Sequence, residues 1–148
     1  MKIFLASDHA GFELKQRLAD FLLSHGHEVE DCGPVRFNPV DDYPNFIVPC
    51  AKKVAQNKSS FGIVVGLSGE GEAIAANRVR GARAAVYYGG PVDILKLSRV
   101  HNDANMLSLG ARFVSETEAK EAAALWLATS FGGEERHARR IEELDRQL

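Results

Sequence analysis

The 148-residue chain carries 18 Lys and Arg against 20 Asp and Glu, a formal charge of −2, and is 45% apolar and 26% charged. That length suits one domain with a sizeable core, residues 1–148, and the near balance of charge excludes a general nucleic-acid footprint. No apolar span approaches the roughly 18 residues of a membrane helix, and Met1-Lys2 runs straight into a strand rather than a signal peptide.

Lys2–Ala6 (KIFLA) reads as the first strand, stopped by Ser7-Asp8-His9-Ala10-Gly11. A helix follows, with Leu14, Leu18, Phe21 and Leu22 at helical spacing and Gly26 at its C-terminal stop. Asp8-His9 thus falls at the carboxyl end of a strand, the edge where open α/β sheets bind ligands, although an Asp there also serves as a plain N-cap. Glu28–Cys32 is a short second strand, and Gly33 to Asp42 is a loop punctuated by Pro34 and Pro39. Pro44 suits the first turn of the next helix, which runs to about Asn57; Tyr43 at its cap is either a packing residue or a substrate contact. Cys32 and Cys50 form no CxxC pair and read as free thiols of a cytoplasmic protein, with a single disulfide left open.

The most informative stretch is Phe61–Val79. Phe61–Val65 is a β-rich apolar run, Gly66-Leu67-Ser68-Gly69-Glu70-Gly71 breaks it, and Glu72 to Val79 reads as helix. A strand, a glycine loop and a helix point backbone N–H groups at one spot beyond the sheet, which favours an anion or a developing oxyanion. The loop adds a hydroxyl, Ser68, and a carboxylate at the helix entrance, Glu72, more than a simple turn requires.

Ala82–Val86 makes the fourth strand and leads into Tyr87-Tyr88-Gly89-Gly90-Pro91; a helix then passes through Leu95, Leu97 and Val100. It ends at His101-Asn102-Asp103-Ala104-Asn105, a polar run that reads either as a solvated loop or as part of a site, before the fifth strand, Met106–Leu109. Ser115 with Glu118 is a capping box opening a helix toward Phe131, stopped by Gly132-Gly133. The last helix, Glu134–Leu148, places Ile141, Leu144 and Leu148 on one side and Arg136, Arg139 and Arg140 in its first turns. Basic residues there oppose the helix dipole, so an anion is expected: the glutamates just ahead, or a phosphate.

Strands alternating with helices predict a single-domain, doubly wound, Rossmann-like α/β fold with five parallel strands and helices on both faces. A dinucleotide site fits poorly, because SDHAG lacks G-x-G-x-x-G, and a phosphoacceptor receiver fails because strand three ends in Gly66 rather than Asp.

ASDHAG at 6–11, DYP at 42–44, G-x-S-G-x-G at 66–71 followed by EAIAANR, HNDAN at 101–105, GAR at 110–112 and RHARR at 136–140 together resemble the type B ribose-5-phosphate isomerase family, which includes galactose- and allose-6-phosphate isomerases. The resemblance covers nearly the whole chain. It implies aldose–ketose isomerisation of sugar phosphates through a cis-enediolate, without metal or other cofactor, in homodimers or homotetramers whose C-terminal helix lies at the interface. It implies Glu72 as base, since the family's alternative cysteine base is replaced by Gly66. Ser68 and the N–H groups of Leu67, Gly69, Glu70 and Gly71 would hold the enediolate, while His101 and Asp8 would open the sugar ring. His9, Arg136 and Arg140 would take the phosphate, and Tyr43, Asn102 and Arg112 would line the site. Leu67 stands where the family usually has glycine, and Glu70 is expected to face solvent, because a second carboxylate pointing inward would oppose the developing charge. A substrate of six or four carbons, and a non-catalytic sugar-phosphate-binding module, are the competing readings. His101-Asn102 precede strand five while Glu72 follows strand three, and a five-residue strand of roughly 17 Å separates those edges. A site using both is therefore expected to be shared between two subunits.

Overall fold

The computed structural model describes residues 1–148. In chain order its elements are β1 (Lys2–Ser7), α1 (Phe12–Ser24), β2 (Glu28–Asp31), α2 (Pro44–Gln56), β3 (Ser60–Gly66), α3 (Glu70–Ala76), β4 (Ala84–Tyr87), α4 (Asp93–Val100), β5 (Met106–Gly110), α5 (Glu116–Ala128) and α6 (Glu135–Arg146). Alternation of side chains along the central strands builds two cores. Ile3 and Leu5, Ile63 and Val65, and Leu107 and Leu109 point into one; Phe4 and Ala6, Val64 and Met106 point into the other. Strands buried on both faces belong to a parallel sheet covered by helices. The sheet has that form, in the order β2-β1-β3-β5-β4 with every pair parallel.

Leu18 and Leu22 of α1, Leu95 of α4, and Ala119, Ala123 and Trp126 of α5 close the first core, whereas Ile47, Cys50, Ala51 and Val54 of α2 and Ala75 and Ala76 of α3 close the second. The expected doubly wound fold is therefore the one observed. Trp126 is fully buried, and its indole N–H donates to Ser98 Oγ at 3.1 Å, so its polar end is satisfied inside the core. From β1 the chain steps to β2, then back past β1 to β3, so right-handed crossovers put α1 and α2 on opposite faces. Strand order reverses between β1 and β3, the switch point beyond whose carboxyl ends open α/β sheets bind ligands.

Several boundaries differ from the sequence reading. Helix α3 begins at Glu70 rather than Glu72, because Gly69, at φ 82°, turns the chain so that its carbonyl accepts the Ala73 N–H at 3.0 Å. It ends at Ala76 rather than Val79, where Arg78 and Val79 bond three residues back and tighten the last turn. Strand β4 starts at Ala84, since Ala82 closes a turn onto the Val79 carbonyl. Helix α5 stops at Ala128, short of Phe131, as the Gly132 N–H is drawn to the Val100 carbonyl at the end of α4. Its capping box is formed as expected: the Glu118 N–H donates to Ser115 Oγ and the Ser115 N–H to Glu118.

Helix α6 stands apart. None of its residues belongs to either core, and Leu144 and Leu148 remain 58% and 60% exposed. Its far end is tied down by Asp145, whose carbonyl accepts from Arg80 Nε at 2.8 Å and whose carboxylate accepts the Gly81 N–H at 3.1 Å.

Candidate active site

The loop from Gly66 to Gly71 crosses the carboxyl ends of β3 and β5. Gly66 and Leu67 carbonyls accept the N–H groups of Ala111 and Arg112, and Ser108 Oγ donates to the Gly69 carbonyl at 2.6 Å. Carbonyls are thereby drawn down onto β5, and the N–H groups of Leu67, Ser68, Gly69 and Gly71 find no acceptor within the chain. Ser68 Oγ accepts the Glu70 N–H at 3.3 Å, and the Glu70 side chain is exposed, as expected. Loop glycines are required by close approach: a Cβ on Gly71 would stand 2.9 Å from the Tyr43 ring, and one on Gly110 would stand 2.6 Å from the Ser68 carbonyl oxygen.

Glu72 is the chemical centre of this edge. Its side chain is only 3% exposed, and its carboxylate lies directly over Gly66, where an added Cβ would come within 2.0 Å of Oε2. Burial pushes its carboxyl above the ordinary glutamate range, and the charges of Asp8 and Asp41 push it further. A carboxylate so placed, beside free N–H donors, can accept a carbon-bound proton while an oxyanion grows opposite it.

Asp8 and His9 follow β1 on the same edge. Asp8 Oδ1 accepts the Gly11 N–H at 2.7 Å, so this residue does close the turn into α1; its backbone N–H bonds the Val65 carbonyl and ties the turn to β3. His9 is half-exposed, and its Nδ1 lies 2.8 Å from Asp41 Oδ1; that pairing raises the imidazole above its ordinary value, assisted by Asp8. Tyr43, packed on Gly71 from the start of α2, and the exposed Arg112, just past β5, complete the edge. Tyr88, in a segment the sequence left unassigned, reaches it too, against Gly110 and 6.0 Å from the Phe113 ring.

His101, Asn102, Arg136 and Arg140 are elsewhere. His101 caps α4 and precedes β5, so it lies at the amino edge of the sheet, where its ring stacks on His137 of α6 at 4.5 Å and 15°. His137 is buried with Nε2 unpartnered, and burial, His101 and Arg136 hold it below its ordinary value. Arg136 Nε donates to Glu134 at 2.9 Å, the local partner expected of a basic first turn, while Arg140 makes no ion pair. The polar run at 101–105 divides by role. Asp103 receives Arg99 and Arg83, and Asn105 bridges Arg83 and Gly81, which leaves His101 and Asn102 outside this bracing.

The chain thus gathers Asp8, His9, Tyr43, the 66–71 loop, Glu72 and Arg112 at one edge, and presents His101, Asn102, Arg136 and Arg140 at the other. Sequence reasoning did not single out Asp41 and His137. Asp41 sits one residue before the DYP triplet, and His137 was visible only as a neighbour of the arginines. No group of three or more His, Cys, Asp or Glu side chains is disposed to hold a metal ion, and no helix is long and apolar enough to cross a membrane.

Comparison with known proteins bears on this arrangement. The family model described as Ribose/Galactose Isomerase matches residues 3–144. Ribose-5-phosphate isomerase B of Mycobacterium tuberculosis is 42% identical over 144 residues, covering 97% of this chain and 88% of the relative. Among solved structures, ribose-5-phosphate isomerase B from Mycoplasma genitalium with bound ribulose-5-phosphate superposes with a TM-score of 0.92 at 37% identity, covering 99% of this chain and 95% of that one. The Clostridium thermocellum ribose-5-phosphate isomerase B superposes with a TM-score of 0.92 at 41% identity, covering 99% and 97%.

Proposed function

The chain belongs to the ribose/galactose isomerase family, and from that premise we propose that it is an aldose–ketose isomerase acting on ribose 5-phosphate and ribulose 5-phosphate without metal or cofactor. The observation that carries the reading is the buried Glu72 carboxylate, held over Gly66 beside unpartnered loop N–H groups. In the ring-opened aldose, Glu72 takes the C2 proton to leave a cis-enediolate, the C2 hydroxyl proton passes to the C1 oxygen, and Glu72 returns its proton to C1 as the C2 oxygen becomes the ketose carbonyl. Ser68 and the N–H groups of the loop stabilise the enediolate oxygens. A raised carboxyl suits this task, because the base must also give the proton back.

His101 opens the ring by moving protons between the ring oxygen and the anomeric hydroxyl, with Asp8 assisting; His9, Arg136 and Arg140 hold the phosphate; Tyr43, Asn102 and Arg112 line the sugar. The two edges lie a strand length apart, about 17 Å, so His101, Asn102, Arg136 and Arg140 serve the site of a partner subunit in a homodimer. The absence of α6 from both cores, with Leu144 and, beyond it, Leu148 exposed, supports its place at that interface. Free thiols at Cys32 and Cys50 suit the reducing cytoplasm.

The deciding experiment follows aldose–ketose exchange by NMR in deuterated water across four-, five- and six-carbon sugar phosphates. Ribose 5-phosphate is expected to show the highest kcat/KM, with deuterium entering at C1 of the ribulose 5-phosphate formed and, on return, at C2 of the aldose. A six-carbon substrate turning over faster would reassign the sugar, and binding without exchange on every substrate would make this a binding module.

A further inference from the structure

We propose that Asp41 is a positioning residue that fixes the His9 ring and keeps it an imidazolium, so that its outward nitrogen donates a charged hydrogen bond to the substrate phosphate. This rests on the reading of His9 as a phosphate contact. Asp41 Oδ1 accepts the His9 backbone N–H at 3.2 Å and lies 2.8 Å from Nδ1 of the same residue. Main chain and ring are gripped by one oxygen, which leaves the imidazole little freedom to rotate. The carboxylate is buried, at 2% exposure, behind a histidine that is 41% exposed, so the charge sits at the back and the ring's other nitrogen faces outward.

The protonation state decides what that outward nitrogen can do. A neutral ring donating from Nδ1 to Asp41 would present a lone pair at Nε2, which repels phosphate oxygen. The imidazolium presents an Nε2–H instead, and donors bearing charge make the stronger hydrogen bonds. Asp41 has no Lys or Arg partner, and its Oδ2 is buried with no partner at all, so the imidazolium is its sole counter-ion. Burying a carboxylate without a counter-charge is costly, which couples the two groups. The other charged groups facing His9 are Asp8 and, from α1 across a cleft of about 530 Å³, Glu13, Arg17 and Asp20, with Phe37 edge-on at 6.5 Å; Glu72 also lies within the field of Asp41. Acids outnumber bases around the ring. Asp42, the acid of the DYP triplet, is exposed and does none of this.

The test is Asp41→Asn, whose amide oxygen can still accept both His9 contacts but carries no charge. A merely structural role would leave the charge-dependent readouts unmoved. We expect the His9 titration, followed by NMR, to shift downward, and KM for ribose 5-phosphate at pH 8 to rise about tenfold, the loss of one charge-assisted hydrogen bond, with kcat little changed. The KM gap should narrow toward pH 6, as His9 takes up its proton in the variant too. Inhibition by inorganic phosphate should weaken in parallel. An unchanged His9 titration, or a KM gap that does not depend on pH, overturns the proposal. Should Asp41→Asn fail to fold, the parent protein decides: a His9 midpoint at or below about 6.5 overturns it. If the parent turns over no sugar phosphate, the isomerase reading fails, while the His9 titration and inorganic phosphate affinity still judge Asp41.

Discussion

Gly66→Ala separates the chemistry of this site from its fold. The added Cβ would stand 2.0 Å from Oε2, 2.1 Å from Cδ and 2.3 Å from Oε1 of Glu72, whereas ordinary contact begins at 3.4 Å, so the carboxylate must retreat by about 1.4 Å. Displacing a reacting group by about 1 Å costs on the order of 100-fold in rate. We therefore expect kcat to fall about 100-fold or more. Stability should change little, because the colliding atoms form the end of a flexible side chain and Gly66 does not adopt a left-handed conformation. KM should hold within about threefold, since the proposed phosphate contacts lie elsewhere. The assay is steady-state turnover of ribose 5-phosphate alongside thermal unfolding. Turnover within about threefold of the parent, in a protein with an unchanged Tm, would refute Glu72 as a base working from above Gly66.

Four further outcomes are expected. A Glu72→Gln chain refolded in equal amounts with a His101→Ala, Asn102→Ala chain should regain about a quarter of parental activity, since half the dimers are mixed and each mixed dimer has one intact site; no recovery would place each site within one chain. Burial raises the Glu72 carboxyl, so the acid limb of kcat/KM should lie above the ordinary value of about 4.3. A carboxyl raised on folding disfavours the native state above its unfolded pKa, so Glu72→Gln should unfold at a higher Tm than the parent at pH 7, with the gap closing as pH falls toward about 4; an equal or lower Tm at pH 7 counts against that burial. Activity should survive both a chelator and the double change Cys32→Ala, Cys50→Ala, and loss restored by a divalent metal would contradict the metal-free reading.

The strand ends and the central loop were readable because each depends on local pattern. Near-continuous apolar runs stop at Ser7 and Gly66, and parallel strands joined by helices bring those stops to one edge. The capping box at Ser115 was equally local. Asp41 was not readable, because its role is set by a partner 32 residues away across a proline-punctuated loop with no periodicity. The same holds for His137: in helical periodicity it is one polar residue among arginines, and only the fold stacks it on His101. In the 101–105 run, composition could not say which polar residues brace the backbone. That division needed Arg83 and Arg99, which approach Asp103 from two different segments.

The volume above Gly66 also constrains how such a site can change over generations. A side chain at position 66 and the carboxylate of residue 72 claim the same space. With Glu72 as the proposed base, a lineage exchanging it for a thiol at position 66 cannot acquire the cysteine first without displacing the glutamate, nor remove the glutamate first without losing the base. Either order passes through an impaired intermediate, so the two residues are expected to be exchanged together, and the identity of one forecasts that of the other.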